Sequence, residues 1–99
     1  MAHGALMHEE VDDVAVVIQD VSSGDDVTVV TLEGTQFGVV KAVEDIPLGH
    51  KIALRDMSNG KEVIKYGRAI GRTRKDIAKG AHVHTQNVAS IRWETSIDE

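Results

Sequence analysis

The sequence has no cysteine, one proline and only three aromatic residues among its 99 positions. The absence of cysteine excludes disulfide scaffolds and cysteine-ligated zinc or iron–sulfur sites. No apolar run approaches the roughly 20 residues that a membrane span needs, and the N-terminus lacks the basic and apolar regions of a secretory signal. With a net charge of −5, the chain also lacks the basic stripes and stacking rings of a nucleic-acid platform. We therefore expect a cytoplasmic protein that binds neither nucleic acid nor membrane.

The apolar residues that are present favour β structure. There are fourteen Val and eight Ile but only four Leu, and β-branched side chains fit a pleated surface better than a helix. No stretch longer than about ten residues sustains a helical period, so we predict a mostly β, compact domain of short bent strands with little or no helix. The predicted strands are 11–18, 26–32, 36–43, 51–54, 63–67, 68–71 and 81–84. Residues 1–10 are predicted to be a flexible N-terminus, residues 11–93 a single domain, and residues 94–99 a polar tail.

A short pattern, Asp-apolar-x-x-Gly-x-x-apolar, occurs four times in the chain. The four copies begin at Asp20, Asp45, Asp56 and Asp76. Asp accepts hydrogen bonds from amides two or three residues on, and Gly adopts the left-handed conformation before a strand leaves the turn. The irregular spacing of the copies excludes a solenoid. The pattern therefore predicts a corner that is reused four times, which suits strands that cross.

Charge is divided unevenly along the chain. Residues 1–49 carry ten acids and one base, a net charge of −9, whereas residues 50–99 carry six acids and ten bases, a net charge of +4. One explanation is that the two halves complement each other within the fold. The other is that the C-terminal half lines a site for an anion, because a basic concavity concentrates negative ligands.

His82 and His84 are the sharpest local candidates for chemistry. Positions i and i+2 of a strand face the same side of a sheet, so the two imidazoles would project together. Imidazole binds first-row transition metals, and Asn87 could supply an oxygen ligand or orient a substrate. The alternative is a pair of solvent-facing histidines on an edge strand.

Further candidates precede this pair in the chain. His50 and Lys51 follow the turn at Gly49, where they could contact a carboxylate or transfer a proton, or simply be exposed at a turn. Arg55 and Lys65 are candidates for anion contacts, with a solvated surface as the alternative. The residues between His50 and Asn87 do not make a full catalytic set, which indicates that another chain completes the site.

The segment from Asp45 to Asn87 resembles the SAF domain of the altronate/galactarate dehydratase family. The blocks Ile46-Pro47-Leu48-Gly49-His50-Lys51, Val63-Ile64-Lys65-Tyr66-Gly67 and His82-Val83-His84 occur in the family's order. In the family this domain is either fused to a large catalytic region, as in the dehydratases, or a free small subunit paired with a large one, as in the sulfolactate sulfo-lyases. The opening and ending of this chain resemble the small subunits, with one departure: Gln86 replaces a histidine that usually stands there.

The resemblance implies a compact β-clip fold and a lyase that eliminates water or sulfite from a 2-hydroxy acid. It implies an anionic hydroxy-acid substrate, a large catalytic partner subunit, and a divalent metal ion, Fe(II) or Mn(II). We assign His84 and then His82 to the metal, His50 and Lys51 to proton transfer or substrate contact, and Arg55, Lys65 and Asn87 to substrate binding. A second hypothesis is a non-catalytic module that binds carbohydrate or another ligand, since SAF domains also resemble antifreeze proteins, which bind ice, and the C-terminal domains of sialic acid synthases, which cover a sugar site. A third hypothesis is a scaffold for homo-oligomers.

Overall fold

The computed structural model describes residues 3–9, 11–84 and 86–90, and every regular element in these ranges is a strand. The nine strands are β1 His3–Met7, β2 Val14–Val17, β3 Asp26–Thr31, β4 Gln36–Lys41, β5 Lys51–Ala53, β6 Glu62–Lys65, β7 Arg68–Thr73, β8 His82–Val83 and β9 Val88–Ser90. Among the described residues there is no helix that could cross a membrane. The prediction of a mostly β domain of short strands is confirmed.

The strands form two sheets, and the buried apolar residues form two cores. The larger sheet has the order β4-β3-β1-β2-β5-β8, and the smaller has the order β6-β7-β9. The first core is built mainly on one face of the larger sheet, from residues such as Met7, Val29 and Ile52. The second core lies between the sheets and includes Val14 and Val63. Strand β5 contributes to both, through Ile52 and Ala53, because successive residues of a strand face opposite sides.

The N-terminal segment contributes a strand that the sequence analysis did not predict. Residues 3–7 were expected to be flexible, yet β1 lies inside the larger sheet, parallel to β3 and antiparallel to β2. Its sequence, HGALM, has no β-branched residue and gives no local signal for a strand. Its stability comes instead from two neighbouring strands and from burial of Ala5 and Met7. The predicted tail, residues 94–99, lies outside the described residues.

The four predicted corners are present, but their aspartates bond differently from expectation. The corners meet in two pairs, through the bridges Val21↔Ile46 and Met57↔Ile77. Each aspartate accepts a hydrogen bond from the opposite corner of its pair, not from its own turn. Asp20 accepts from Leu48 N–H at 2.8 Å, and Asp45 accepts from Ser23 N–H at 2.9 Å. In the second pair, Asp56 accepts from Lys79 N–H, and Asp76 accepts from Asn59 N–H. Each corner therefore holds its partner in place across the chain.

The glycine in each corner has the positive φ that the pattern predicted. Gly24, Gly49, Gly60 and Gly80 have φ between 86° and 95°, in the left-handed region that costs a side-chain-bearing residue about 1 kcal/mol or more. Gly34 in the β3–β4 hairpin is also left-handed, at 92°. The turn signals read from the sequence are therefore confirmed at all five positions.

A buried carboxylate, Asp12, ties the segment before β2 to the loop after β6. It is fully buried and accepts N–H donors from His8 and Glu9 on one oxygen and from Gly67 on the other. Burial raises the pKa of this carboxyl, but the backbone donors of Gly67, Glu9, Tyr66 and His8 outweigh it and hold the pKa below its ordinary value of 3.8. The ionised form of Asp12 therefore stabilises the folded chain.

Replacing Asp12 with Asn is expected to lower the free energy of unfolding at pH 7 by about 2–3 kcal/mol. The amide of Asn keeps one acceptor oxygen and turns an NH₂ group toward backbone N–H donors. Because the folded pKa is lowered, the contribution of Asp12 is complete above pH 3.8 and is lost as the pH falls through the folded pKa. Urea titrations from pH 7 to pH 2 should therefore show the unfolding free energies of the two proteins converging at low pH.

Asp26→Asn, at a well exposed surface ion pair, serves as the control and should cost less than about 1 kcal/mol. Equal losses for the two variants would contradict this role of Asp12.

Candidate functional site

The pairing of β5 with β8 brings three histidines together. Lys51 pairs with Val83, and Ile52 pairs with His82, so extending this antiparallel register by one residue sets His50 opposite His84. His82 and His84 are two positions apart and face the same side, as the sequence predicted. His50 faces that side too, because it lies two positions before Ile52, the residue paired with His82. Strand alternation and register therefore place three imidazoles on the same face. We call this group, His50, His82 and His84, the imidazole cluster.

The three rings of the imidazole cluster are in direct contact. The His50 and His84 rings stack with centroids 4.1 Å apart, and Nδ1 of His50 lies 2.8 Å from Nε2 of His82. One nitrogen from each ring can be chosen so that all three lie within 4.8 Å of one another. His50 and His82 are half-buried, whereas His84 is exposed. The cluster is therefore anchored on one side and open to solvent, or to another molecule, on the other.

Asn87 holds the two ends of the His82-Val83-His84 segment. Its carbonyl oxygen accepts the N–H of His84 at 3.0 Å, and its NH₂ group donates to the carbonyl of His82 at 2.7 Å. The side chain is buried, with 3% exposure, and both of its polar ends are used by the backbone. Asn87 therefore fixes the loop that carries two of the imidazoles, and its role in substrate binding stays a prediction.

The electrostatic surroundings favour a neutral His82. Burial lowers the pKa of this imidazole from 6.5, and the adjacent His50 lowers it further; Glu44 acts in the opposite direction, and His84 adds to the lowering. Glu44 also accepts the backbone N–H of His82 at 3.1 Å. A neutral imidazole has a lone pair available for a metal ion. Sequence reasoning missed Glu44, because its contact spans 38 positions and leaves no local signal.

Gln86 contacts the far side of the His82 ring. Its amide nitrogen lies 3.2 Å from Nδ1 of His82. An amide can turn either its oxygen or its NH₂ group to this nitrogen, so Gln86 can pair with the ring in either tautomer. Gln86 therefore helps to orient a ring of the imidazole cluster.

The remaining predicted site residues are engaged elsewhere. Lys51 pairs with Val16 and Val83, so strand alternation places it on the face opposite His50. Arg55 donates to the Asp12 carbonyl at 2.8 Å and lies 3.5 Å from the Asp13 carboxylate. Substrate contact by Lys51 or Arg55 thus stays a prediction.

Lys65 is buried beneath Tyr66. Its ammonium lies 3.4 Å over the Tyr66 ring, and the residue is 3% exposed. No hydrogen-bond partner for Nζ is present among the described residues. Tyr66 thus covers the ammonium group on one side, and the role of Lys65 in substrate binding stays a prediction.

The imidazole cluster fits a divalent transition-metal ion by the chemistry of its donors. Three imidazole nitrogens are borderline ligands that suit Fe(II) and its neighbours in the first row. They leave further coordination positions for oxygen ligands. Imidazoles that bind a metal ion are usually held in place by neighbouring polar groups. Here Gln86 contacts the His82 ring, and Asn87 fixes the backbone of the loop. The hydrogen bond between His50 and His82 would be exchanged for bonds to the ion.

Comparison with known proteins assigns the chain to a family. Residues 3–91 match the family described as the altronate/galactarate dehydratase SAF domain. The (2R)-sulfolactate sulfo-lyase subunit alpha of Chromohalobacter salexigens is 36% identical over 89 residues, which cover 89% of this chain and 95% of that one. The same subunit of Paracoccus pantotrophus is 45% identical over 65 residues, covering 66% and 96%. The altronate dehydratase of Escherichia coli is 42% identical over 76 residues, covering 77% of this chain but 14% of the enzyme. The chain therefore belongs to the altronate/galactarate dehydratase SAF domain family.

Proposed function

We propose that this chain is the small component of a lyase that eliminates water or sulfite from an anionic 2-hydroxy acid. In this proposal His50, His82 and His84 bind a divalent metal ion, Fe(II) or Mn(II), and a large catalytic chain completes the site. The observation that carries the proposal is the convergence of three imidazole nitrogens within 4.8 Å in a chain of this family. A module that binds only carbohydrate has no need of such a donor set.

The reaction class explains why the site would need a metal ion. In a β-elimination the C–H bond beside the carboxylate breaks, a C=C bond forms, and water or sulfite leaves the next carbon. When bound, the ion would act as a Lewis acid on the negative charge that develops beside the carboxylate. The chain's own residues hold the imidazoles in place: Asn87 fixes the backbone of the two on β8 and its loop, and Gln86 orients His82.

The large partner is supported by what the described residues lack. In this proposal the base is neither Lys51, which lies on the sheet face opposite His50, nor Lys65, which is 3% exposed. The general base that takes the proton from the substrate carbon is assigned to the large chain. The relatives fit this division, since two are named subunit alpha and this domain is 14% of the dehydratase from Escherichia coli.

Reconstitution tests the proposed function. The small chain, the large dehydratase-like chain of the same genome, and their mixture are assayed for 2-keto acid formation from sulfolactate and from altronate. We expect activity only in the mixture, its loss after chelator treatment, and its recovery with Fe(II) or Mn(II). Full activity of the large chain alone, or a mixture indifferent to chelation, would contradict the proposal.

Gln86 offers a second, finer test of the metal site. Replacing Gln86 with Ala is expected to weaken metal binding by roughly tenfold, because a partner that orients a ligating ring is lost. Gln86→His, which restores the family's usual residue, should retain most of the affinity. Competition with a chelating dye on the assembled protein measures both variants. An affinity unchanged in Gln86→Ala would remove this residue from the second shell.

A further inference from the structure

Three energetically unfavourable features meet at the tip of the β6–β7 hairpin. In the part of the chain that the structure describes, the buried side-chain polar atoms without a hydrogen-bond partner are His8 Nδ1 and Lys65 Nζ. In the same part, the one non-glycine residue with a positive φ is Tyr66, at 59°. The His8 ring packs edge-on against Tyr66 with centroids 3.9 Å apart, and Lys65 Nζ lies 3.4 Å from the centroid of the same ring. We call His8, Lys65 and Tyr66 the Tyr66 cluster.

Lys65 is the most unfavourable of the three. The residue is 3% exposed, and its ammonium carries three N–H donors that no described residue accepts. Burying an ammonium without hydrogen bonds opposes folding, and the face of an aromatic ring compensates only part of that loss. The buried carboxylate of this region, Asp12, is already used by three backbone N–H groups. The folded chain therefore holds a cation whose donors are unused.

The hairpin turn itself does not require a tyrosine. Lys65 pairs with Arg68, so Tyr66 and Gly67 form a two-residue turn, with φ of 59° and 71°. Turns with positive φ at both central residues favour Asn-Gly or Gly-Gly, because a bulky side chain is strained in this conformation. Backbone strain and unpaired buried groups that occur together are typical of functional sites.

We propose that the Tyr66 cluster binds a carboxylate group when the Tyr66 ring turns aside. The Lys65 ammonium, the His8 imidazole and the Tyr66 phenol can all donate hydrogen bonds to an anion, and bonds between an ammonium and a carboxylate are among the strongest in proteins. Tyr66 is 53% exposed, so its ring can move without opening either core. A bound carboxylate would accept the unused N–H groups of Lys65. It can belong to a small hydroxy acid or to an acidic side chain of another chain.

The Tyr66 cluster is separate from the imidazole cluster. Strand β6 meets the beginning of β2, where the Ile64 carbonyl accepts the Asp13 N–H at 2.8 Å. At the other end of β2 the His50 carbonyl accepts the Val17 N–H at 2.9 Å. These contacts are four residues apart, which is about 13 Å along a strand. The proposal therefore adds a second site and does not rest on the metal ion or on lyase activity.

Thermal unfolding of the small chain with and without a carboxylate tests the proposal. The probe is sodium malate, with sodium chloride at equal ionic strength as the salt control. Lys65→Met removes the ammonium and keeps an unbranched apolar side chain, and Lys41→Met, at an exposed ion pair, is the matched control. At ten times its dissociation constant, malate should raise the unfolding temperature of wild type and Lys41→Met by roughly 6–11 °C. It should leave that of Lys65→Met unchanged.

Unfolding without malate separates binding from a structural role. A binding role predicts that Lys65→Met unfolds at the wild-type temperature or above it, because an apolar side chain replaces an unpaired buried charge. A structural role on the Tyr66 ring predicts a lower unfolding temperature and a malate response equal to that of wild type. A Lys65→Met variant that responds to malate as wild type does would overturn the proposal.

Amide NMR of the wild-type chain tests the same point without a substitution, should Lys65→Met not fold. Malate should shift the amide signals of residues 65–67 more than those of His50, His82 and His84. Shifts centred on these three histidines would mean that the anion binds the imidazole cluster, which would overturn the proposal.

A second arm identifies the source of the carboxylate if malate has no effect on the wild-type chain. Binding of each variant to the large dehydratase-like chain of the same genome is then measured by calorimetry. Binding by Lys65→Met that is at least about tenfold weaker, with wild-type binding by Lys41→Met, would assign the carboxylate to an acidic side chain of the large chain. Equal binding by all three proteins, or no association at all, would overturn the proposal, and the reconstitution assay would still decide the proposed function separately.

Discussion

Replacing His84 with Ala is expected to reduce the elimination rate of the assembled lyase by at least about 100-fold. The side chain supplies one of three convergent nitrogens, stacks on His50 at 4.1 Å, and is exposed. Its removal therefore takes away a proposed metal ligand while costing little packing. Steady-state kinetics at saturating and limiting Mn(II) measure the loss, and excess metal should recover part of the activity.

A second histidine outside the cluster provides the control for that experiment. His8 packs edge-on against Tyr66, with ring centroids 3.9 Å apart. His8→Gln should change stability more than it changes the metal dependence of the rate. If His84→Ala retains full activity, or if His8→Gln shifts the metal requirement equally, the imidazole cluster is not the metal site.

Replacing Gly80 with Ala is expected to give the largest loss of stability, about 3–5 kcal/mol. Gly80 is left-handed, with φ of 89°, and a Cβ at this position would collide with the backbone carbonyl of Lys41. A backbone oxygen cannot move aside as a flexible side chain can. Thermal and denaturant unfolding of the isolated chain measure the effect.

The repeated corner supplies a matched comparison for Gly80. Gly60 has nearly the same φ, 86°, in an equivalent corner, but a Cβ there would have no neighbour within 4 Å. Gly60→Ala should therefore cost only the left-handed strain, about 1 kcal/mol. If the two variants lose the same stability, the close approach of Gly80 to Lys41 is not what requires glycine.

Local sequence signals predicted the elements whose causes are local. Alternating Val and Ile identified β3 and β4, and the Asp-to-Gly spacing identified all four corners, because strand period and left-handed turns depend on adjacent residues. The shared direction of His82 and His84 followed from the same period. Strand β1 was missed because its stability comes from pairing with residues 16–17 and 27–31, which no local pattern reports.

The contacts of several residues could not be predicted from adjacent sequence positions for the same reason. His50 joins the imidazole cluster only through the register of β5 against β8. The corner aspartates bond to amides 17 to 28 positions away, where the sequence suggested their own turns. Lys65 follows a family motif, yet its place beneath Tyr66 depends on packing. Residue type predicted which side chains could act, and tertiary pairing decided which of them meet.

The proposed function depends most on a metal ion held by His50, His82 and His84 in the assembled protein. Counting metal ions per assembled complex by plasma mass spectrometry, for wild type and for His82→Ala/His84→Ala, tests it directly. We expect the double variant to assemble normally and to carry one metal ion fewer per small chain. An unchanged metal content in a complex of unchanged composition would contradict it.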